Sequence, residues 1–539
     1  MLKPAYMFDK VLGMSQAAAA HLIPQDKWWF TYNARFHNGR VEQTPPIVVQ
    51  FTATSGSVGS ITGLVPFRSA TSSLLISLHG GGADIINLES NTTTVITQPG
   101  GFATDADSMY RWSTISRDGK IYYSNLLNSV ITYNGSGAAT TLVVTGIAYK
   151  AKYIEEFYDH LVVANVLDGS TPYPLRVAYS DITDWTDFDP TTTNEADFFE
   201  LTSNELNSLY GLGITGLKRL GEVCAIYTPG SIWNMRYVGF DNGVMQFTEQ
   251  IQGIGAWLPY SVVGLDRYHL FISADDIYLY DGTQAVSIGG DIRDFFYTDL
   301  STDPVVRNRT WGFIDVLRQE VRWNYPSRES TMCNKSIVFN WQTKHWYAES
   351  AQYRSASLVS GVVSNSYIDL LPLSSATIDG LAAVFATIDG MANSSVSSAT
   401  LFAVSTDNKI YRERLLTDSS SDYLENGETI LETGDITFGD NQEVKEIDTI
   451  LFDAEAAHVT TSTSTSKFGW EIWVSTRDYI SSSIEYSLYG LFEGTEVPKR
   501  VTSPRLSGRI FRFKFISKLI NFSKFYGFAP NVDAGSTER

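Results

Sequence analysis

Cysteine, charge and long apolar runs are what this 539-residue chain has least of. Its two cysteines, Cys224 and Cys333, lie far apart. Two thiols build neither a disulfide-rich scaffold nor a four-ligand zinc site, and lone buried thiols of the kind a reducing compartment preserves are expected. Charged residues make up 18%, below the usual quarter, which argues against disorder and a coiled coil. No stretch reaches the roughly 18 uninterrupted apolar residues of a membrane span, so no stable membrane insertion is expected. The N-terminus makes a poor signal peptide, because Asp9 and Lys10 interrupt where its apolar core should lie. The alanine run 17–20 reads as a mimic of a cleavage site or, preferably, as a short helix, and use without export follows. Net charge is −19, so the chain has no general attraction to phosphate and a DNA-wrapping role is excluded.

What is abundant is apolar, aromatic and small polar. The apolar fraction is 43% and the aromatic fraction 13%, with Ser, Thr, Asn and Gly supplying the polar balance. This is the composition of an all-β protein with a sizeable core. One core rarely grows beyond roughly 250–300 residues, so several domains or a repeat architecture are expected.

Strand pairs recur at 74–96, 119–144, 160–179, 221–238, 267–288 and 320–347, and a last fragment starts at 402. Each unit is a strand, a turn of Gly, Asp, Asn or Pro, and a second strand. Asp118-Gly119, Asp168-Gly169, Asp281-Gly282 and Asn134-Gly135 suit tight hairpins, because these residues tolerate positive φ. The spacing resembles the blades of a β-propeller, with a run of β-sandwiches as the alternative. The reading adopted is an N-terminal arm over 1–45 and a propeller of six or seven blades over 46–415. A β-sandwich or platform domain follows over 416–528, and a flexible tail over 529–539. The segment 355–400, which repeats ATIDG at 376–380 and 386–390, reads as a surface loop or an insertion reaching a partner.

Catalytic signatures are sparse. GLGITG (211–216) matches a dinucleotide-binding spacing, but strands follow it where a helix is needed. His79-Gly80-Gly81-Gly82 resembles a lipase oxyanion loop, yet no G-x-S-x-G elbow accompanies it. Asp181, Asp184, Asp187 and Asp189 lack the spacing of a calcium loop and read as turn caps. The seven histidines are scattered without metal-binding spacing. No enzyme activity and no cofactor are expected.

Charge is uneven. From 495 onward nine Lys and Arg face three acids, a net +6, leaving −25 for the rest. In GRIFRFKFIS one strand face carries Phe511, Phe513 and Phe515, and the other carries Arg512 and Lys514. That face reads as solvated or as a dock for an acidic neighbour.

Several segments resemble, in order, the tail nozzle or tail hub (packaged-DNA-stabilising) proteins of short-tailed bacteriophages. They are PPIVVQFTATSGSVGSITGLVPF (45–67), RVAYSDITDWTDFDP (176–190), ITGLKRLGEVCAIYTPGSIWNMRYVG (214–239), the stretch 250–296, and KRVTSPRLSGRIFRFKFIS (499–517). The resemblance covers most of 45–517 and implies a structural virion protein assembled in the host cytoplasm. The implied assembly is a homo-hexamer docked under the adaptor ring of the head-to-tail connector, meeting tail fibres or spikes and a plug or needle. Genomic DNA would pass through its lumen without sequence-specific binding, a passage that an acidic wall favours. The interface candidates are Arg505, Arg509, Arg512 and Lys514 on the basic strand, and Trp28, Trp29 and Phe30 on the arm. Two alternatives are a propeller that stacks host glycans on Trp28-Trp29-Phe30 or Trp341 to Trp346, as part of a fibre or spike, and a propeller glycosidase.

Overall fold

The computed structural model describes residues 12–37, 39–44, 47–51, 60–68, 73–87, 92–105, 110–142, 149–350, 353–359, 400–405, 409–413, 423–424, 428–439, 442–455, 469–493, 499–517 and 524–534. Most of the 355–400 segment, including both ATIDG copies, and the low-complexity stretch 459–467 lie outside them.

Tight hairpins generate the repeated unit. At Asp118-Gly119 both residues take positive φ (50° and 69°), which matches the twist of the flanking strands and pairs Arg117 with Lys120. Consecutive antiparallel strands join this way into four-stranded sheets over 61–96, 113–141, 149–200, 216–252 and 263–287. A sixth set of four strands spans 311–350. The seventh is closed from both ends of the propeller sequence. Strands Tyr353–Val359, Thr400–Ser405 and Ile410–Glu413 take Ile47–Phe51 as their fourth member, through Ile410↔Phe51 to Glu413↔Ile47.

Seven apolar clusters fill the seven gaps between these sheets. Phe67 and Ile76 of the first meet Tyr123 and Tyr133 of the second. The series continues through the next gaps. Trp311 and Cys333 of the sixth then meet Ala403 and Tyr411 of the seventh. Phe402 and Val404 of the seventh return to Ile61 and Leu75 of the first. A sheet with two apolar faces buries both only when each neighbour covers one, so the ring closes as a seven-bladed β-propeller. Cys224 and Cys333 are buried, unpaired thiols within it.

The second body is a β-sandwich built from both chain ends. One sheet orders Phe30–Tyr32, Thr429–Glu432, Ile510–Ser517, Gly469–Arg477 and Ser487–Glu493. The other orders Ala34–His37, Arg40–Gln43, Lys524–Ala534, Lys445–Glu455 and Lys499–Gly508. Phe452, Trp470, Phe511, Phe513, Phe515, Phe525 and Phe528 form its core.

Three terminal expectations are corrected here. The segment after residue 29 is not an arm: it supplies three sandwich strands, because its apolar positions have a core to enter. The end does not hang free after Phe528: Lys524–Ala534 pairs along the whole of Lys445–Glu455, up to Ala534↔Lys445. The alanine run 17–20 forms turns, with Leu22 N–H donating to Ala19 O (2.8 Å). Four alanines are too few to offset helix nucleation.

Propeller and sandwich share a sheet. Phe30–Tyr32 pairs in parallel with the outer strand of blade six, Trp346–Ser350, so four blade strands and five sandwich strands form one nine-stranded sheet. A buried ion network crosses the same junction. Arg35 of the sandwich meets Glu320 (3.0 Å), Arg322 bridges Glu320 (3.0 Å) and Glu349 (2.8 Å), and Arg318 holds Asp315 (2.9 Å).

Candidate functional site

The residues singled out on the C-terminal strand do not form a common exposed face. Arg512 is 4% exposed. Its guanidinium meets Asp435 (3.0 Å) and Glu432 (3.1 Å), and Arg477 joins Asp435 from the next strand. A buried cation requires such partners, and they come from its own sandwich. Lys514 Nζ lies 5.5 Å from the Tyr486 ring centroid, and Arg509 lies 6.0 Å from that of Tyr479. Arg505 is exposed and meets Glu446 (3.3 Å).

The aromatic candidates sit in packed surroundings. Trp28 lies in the sandwich core, 5.7 Å from the Phe525 ring and 6.2 Å from that of Phe515. Trp29 lies under the Arg512 guanidinium (5.8 Å), and Phe30 packs on Tyr32 and Phe295. Trp346 is buried between Trp323 and Phe339. The side chains expected to stack a glycan or a neighbour are thus largely covered by this chain.

Other motifs resolve into local structure. Gly211 caps the helix Glu205–Tyr210 with φ 63°, and Gly216 opens a strand. His79 and Gly82 close a hairpin, with His79 Nε2 3.2 Å from Asp84 Oδ2. Asp181, Asp184 and Asp187 accept hydrogen bonds from nearby backbone N–H groups of Thr183, Thr186 and Asp189. Among the described residues no cluster of His, Cys, Asp and Glu is arranged to hold a metal ion.

Two features were not singled out from the sequence. The first is an exposed apolar ridge on the sandwich. Tyr479 (65% exposed), Ile480 and Ile484 precede the edge strand Ser487–Glu493, which adds Leu488 and Leu491, each about half exposed. Period-two reading puts residues of this strand on a core face. A register shift between Ile472 and Trp473, opposite Gly490 and Leu488, disturbs that alternation.

The second is the propeller axis. The first strands of the seven blades surround a cavity of about 250 Å³, lined among others by Arg111, Tyr153, Glu155, Lys218, Tyr260 and Trp311. The two ends differ in charge. Glu155 and Lys218 interact at one, where burial raises the Glu155 carboxyl and Lys218 partly counters it. Toward the other, Arg111 lies over Trp311 (4.6 Å) and donates to Arg354 O (2.8 Å). Lys152 Nζ stands 5.5 Å and 5.6 Å from the Tyr153 and Tyr260 ring centroids. Burial pushes the Lys152 ammonium down to about 8 and the Arg111 guanidinium down to about 10. The sequence trace of this site is a cation beside an aromatic: Arg111-Trp112 just before the polar inner strand Ser113–Arg117, and Lys152-Tyr153 inside the strand Tyr149–Phe157.

No family model and no curated protein matches the chain. Among solved structures, the computationally designed Ika8 protein is similar at 9% identity and TM-score 0.36, over 75% of this chain and 99% of that one. PorZ, described as an essential surface component of the type-IX secretion system of Porphyromonas gingivalis, is similar at 11% and 0.33, over 64% of this chain and 38% of its own. BBS1N, solved in complex with ARL6DN, is similar at 10% and 0.34, over 69% and 98%. Identity and TM-score are too low in all three to bear on function.

Proposed function

We propose that the chain is a nozzle subunit of a short-tailed phage, a non-catalytic virion protein that assembles as a homo-hexamer beneath the adaptor ring. In this reading the ring retains the genome and then passes it through an acidic lumen. The lumen is the axis of the hexamer. The axial cavity of a single propeller, about 250 Å³, is too small for a duplex.

The observation that carries the reading is the welded junction between the two bodies. A nine-stranded sheet runs from blade six through the sandwich, and the Arg35–Glu320 pair closes the same seam. Domains linked by a loose chain move relative to one another by default, whereas a shared sheet with a buried ionic seam makes a stiff subunit. Stiffness suits a conduit wall under load. The ordered segment resemblance supplies the phage context, and the net −19 favours unhindered sliding of phosphate.

The exposed ridge Tyr479, Ile480, Ile484, Leu488 and Leu491 takes the place of the basic strand as the subunit contact. Edge strands with apolar exposure invite pairing and are normally covered or blunted. In the proposed ring the neighbouring subunit covers this edge. Electron microscopy of the purified chain tests the reading, with closed hexameric rings expected.

A further inference from the structure

We propose that a groove on the sandwich, with Arg509 in its wall, is a socket for a carboxylate of a second copy of this chain. The inference rests on the ring reading and assigns the chemistry of its subunit contact. The groove measures about 520 Å³ and is lined among others by His21, Asp435, Asp478, Tyr479, Ile480 and Arg509. It adjoins the exposed apolar ridge, since Tyr479 and Ile480 belong to both.

Charge is the first argument. Asp435, a carboxylate of the groove, is already shared by Arg477 and Arg512, and Arg512 also takes Glu432. Arg509 receives nothing of the kind. Among the described residues its guanidinium makes no ion pair and no hydrogen bond, although Asp478 lines the same groove. Its Nε is covered and meets no acceptor. The guanidinium faces the Tyr479 ring instead, 6.0 Å from the centroid. A π face supplies only a partial negative charge, so the cation remains unbalanced.

Surroundings are the second. Tyr479 and Ile480 line the groove with Arg509, and both are more than half exposed. A charge pair rimmed by apolar side chains loses water on closure, and a guanidinium fork matches a carboxylate with two parallel hydrogen bonds. The occupant follows from the charge of the chain. The segment 495–539, which carries Arg509, has a net charge of +6, whereas the rest carries −25. A second copy therefore offers the complementary sign outside that segment. Socket and carboxylate then lie on different patches, so the contact is head-to-tail, the kind that propagates into a ring.

Sedimentation velocity of the full chain over a concentration series is the test, with Arg509→Gln, Arg509→Glu and Arg505→Glu beside it. Arg505 lies on the same basic segment and outside the groove, and serves as the control. Assembly that needs about tenfold more protein in both Arg509 variants, and no more than about twofold more in Arg505→Glu, supports the socket. Assembly retained in the Arg509 variants, or lost equally in Arg505→Glu, overturns it. Should the Arg509 variants fail to fold, salt decides on the unaltered chain. Assembly weakened between about 0.05 and about 0.5 M sodium chloride supports the charge pair, and assembly unchanged or strengthened overturns it. Electron microscopy of the same samples separates this inference from the nozzle reading. Head-to-tail oligomers that depend on Arg509 but are not hexameric uphold the socket and overturn the nozzle. Hexamers indifferent to Arg509 do the reverse. A monomer at every concentration, or a closed two-fold dimer, overturns both.

Discussion

Arg35 and Glu320 form a buried ion pair across the two bodies of the molecule, with Nη2 3.0 Å and Nε 3.3 Å from the same Oε1. Arg35 lies in the sandwich strand Ala34–His37 and Glu320 opens the blade-six strand Glu320–Tyr325. Removing Glu320 takes a carboxylate from both Arg35 and Arg322, whereas removing Arg35 leaves Glu320 with Arg322 as its remaining cation. Glu320→Gln is expected to cost about 3–5 kcal/mol in denaturant unfolding, and Arg35→Met less, because Arg322 still meets Glu320. The double variant Arg35→Met/Glu320→Leu is expected to recover much of that loss, since neither charge then remains. Full additivity of the two losses would contradict the coupling.

The same network sets an acid limit. Burial alone raises the Glu320 carboxyl, but Arg35 and Arg322 more than offset this and hold it below its ordinary value. Asp315 follows the same pattern through Arg322 and Arg318. A carboxylate with a lowered folded pKa adds stability above its unfolded value, and that stability is lost as pH falls through the folded one. Glu349 has the opposite sign, because burial leaves it raised despite Arg322. The net expectation is a falling urea midpoint below about pH 4, the ordinary carboxylate range. The fall should be shallower in Glu320→Gln. Identical slopes would contradict the assignment.

Lys152 acts at the alkaline end. Its folded pKa lies near 8 because of burial, whereas the unfolded side chain titrates near 10.4. Between these values the unfolded chain binds more protons, so stability rises with pH across that window. Thermal melts in chloride buffers should show the rise, and Lys152→Met should remove it. The same substitution should raise the melting temperature below pH 8, because a desolvated charge is gone.

Arg512 and Arg505 separate internal from surface charge on the C-terminal strands. Arg512→Glu places a third carboxylate beside Asp435 and Glu432 and should abolish cooperative unfolding of the sandwich in circular dichroism melts. Arg505→Glu, at a side chain 72% exposed, should shift stability by no more than about 0.5 kcal/mol. Equal behaviour would contradict the burial contrast.

The blades were legible because their middle strands carry the apolar load. LLISLHGGGADIIN reads directly as the second and third strands of blade one, at Ser73–His79 and Gly82–Asn87. Inner strands such as Ser113–Arg117 are polar because they face the axis, so periodicity passes over them, and the axial site with them. The closing strand Ile47–Phe51 pairs with partners more than three hundred residues away, which no local pattern encodes. In Ile510–Ser517 the alternation of aromatic and cation was legible, but the exposure of the cations was not. That depends on Asp435 and Glu432, which tertiary folding brings to Arg512. The ridge of Tyr479 to Leu491 was hidden for the converse reason, since its apolar residues look like core until the edge position is known.

The central claim is that this chain builds a ring, and electron microscopy of the purified protein tests it most directly. Closed hexameric rings with an open lumen are expected, together with their loss in the ridge variant Leu488→Lys/Leu491→Lys at unchanged strand content. Monomers at high protein concentration, with no ring in the unaltered chain and no binding to adaptor rings, would contradict it.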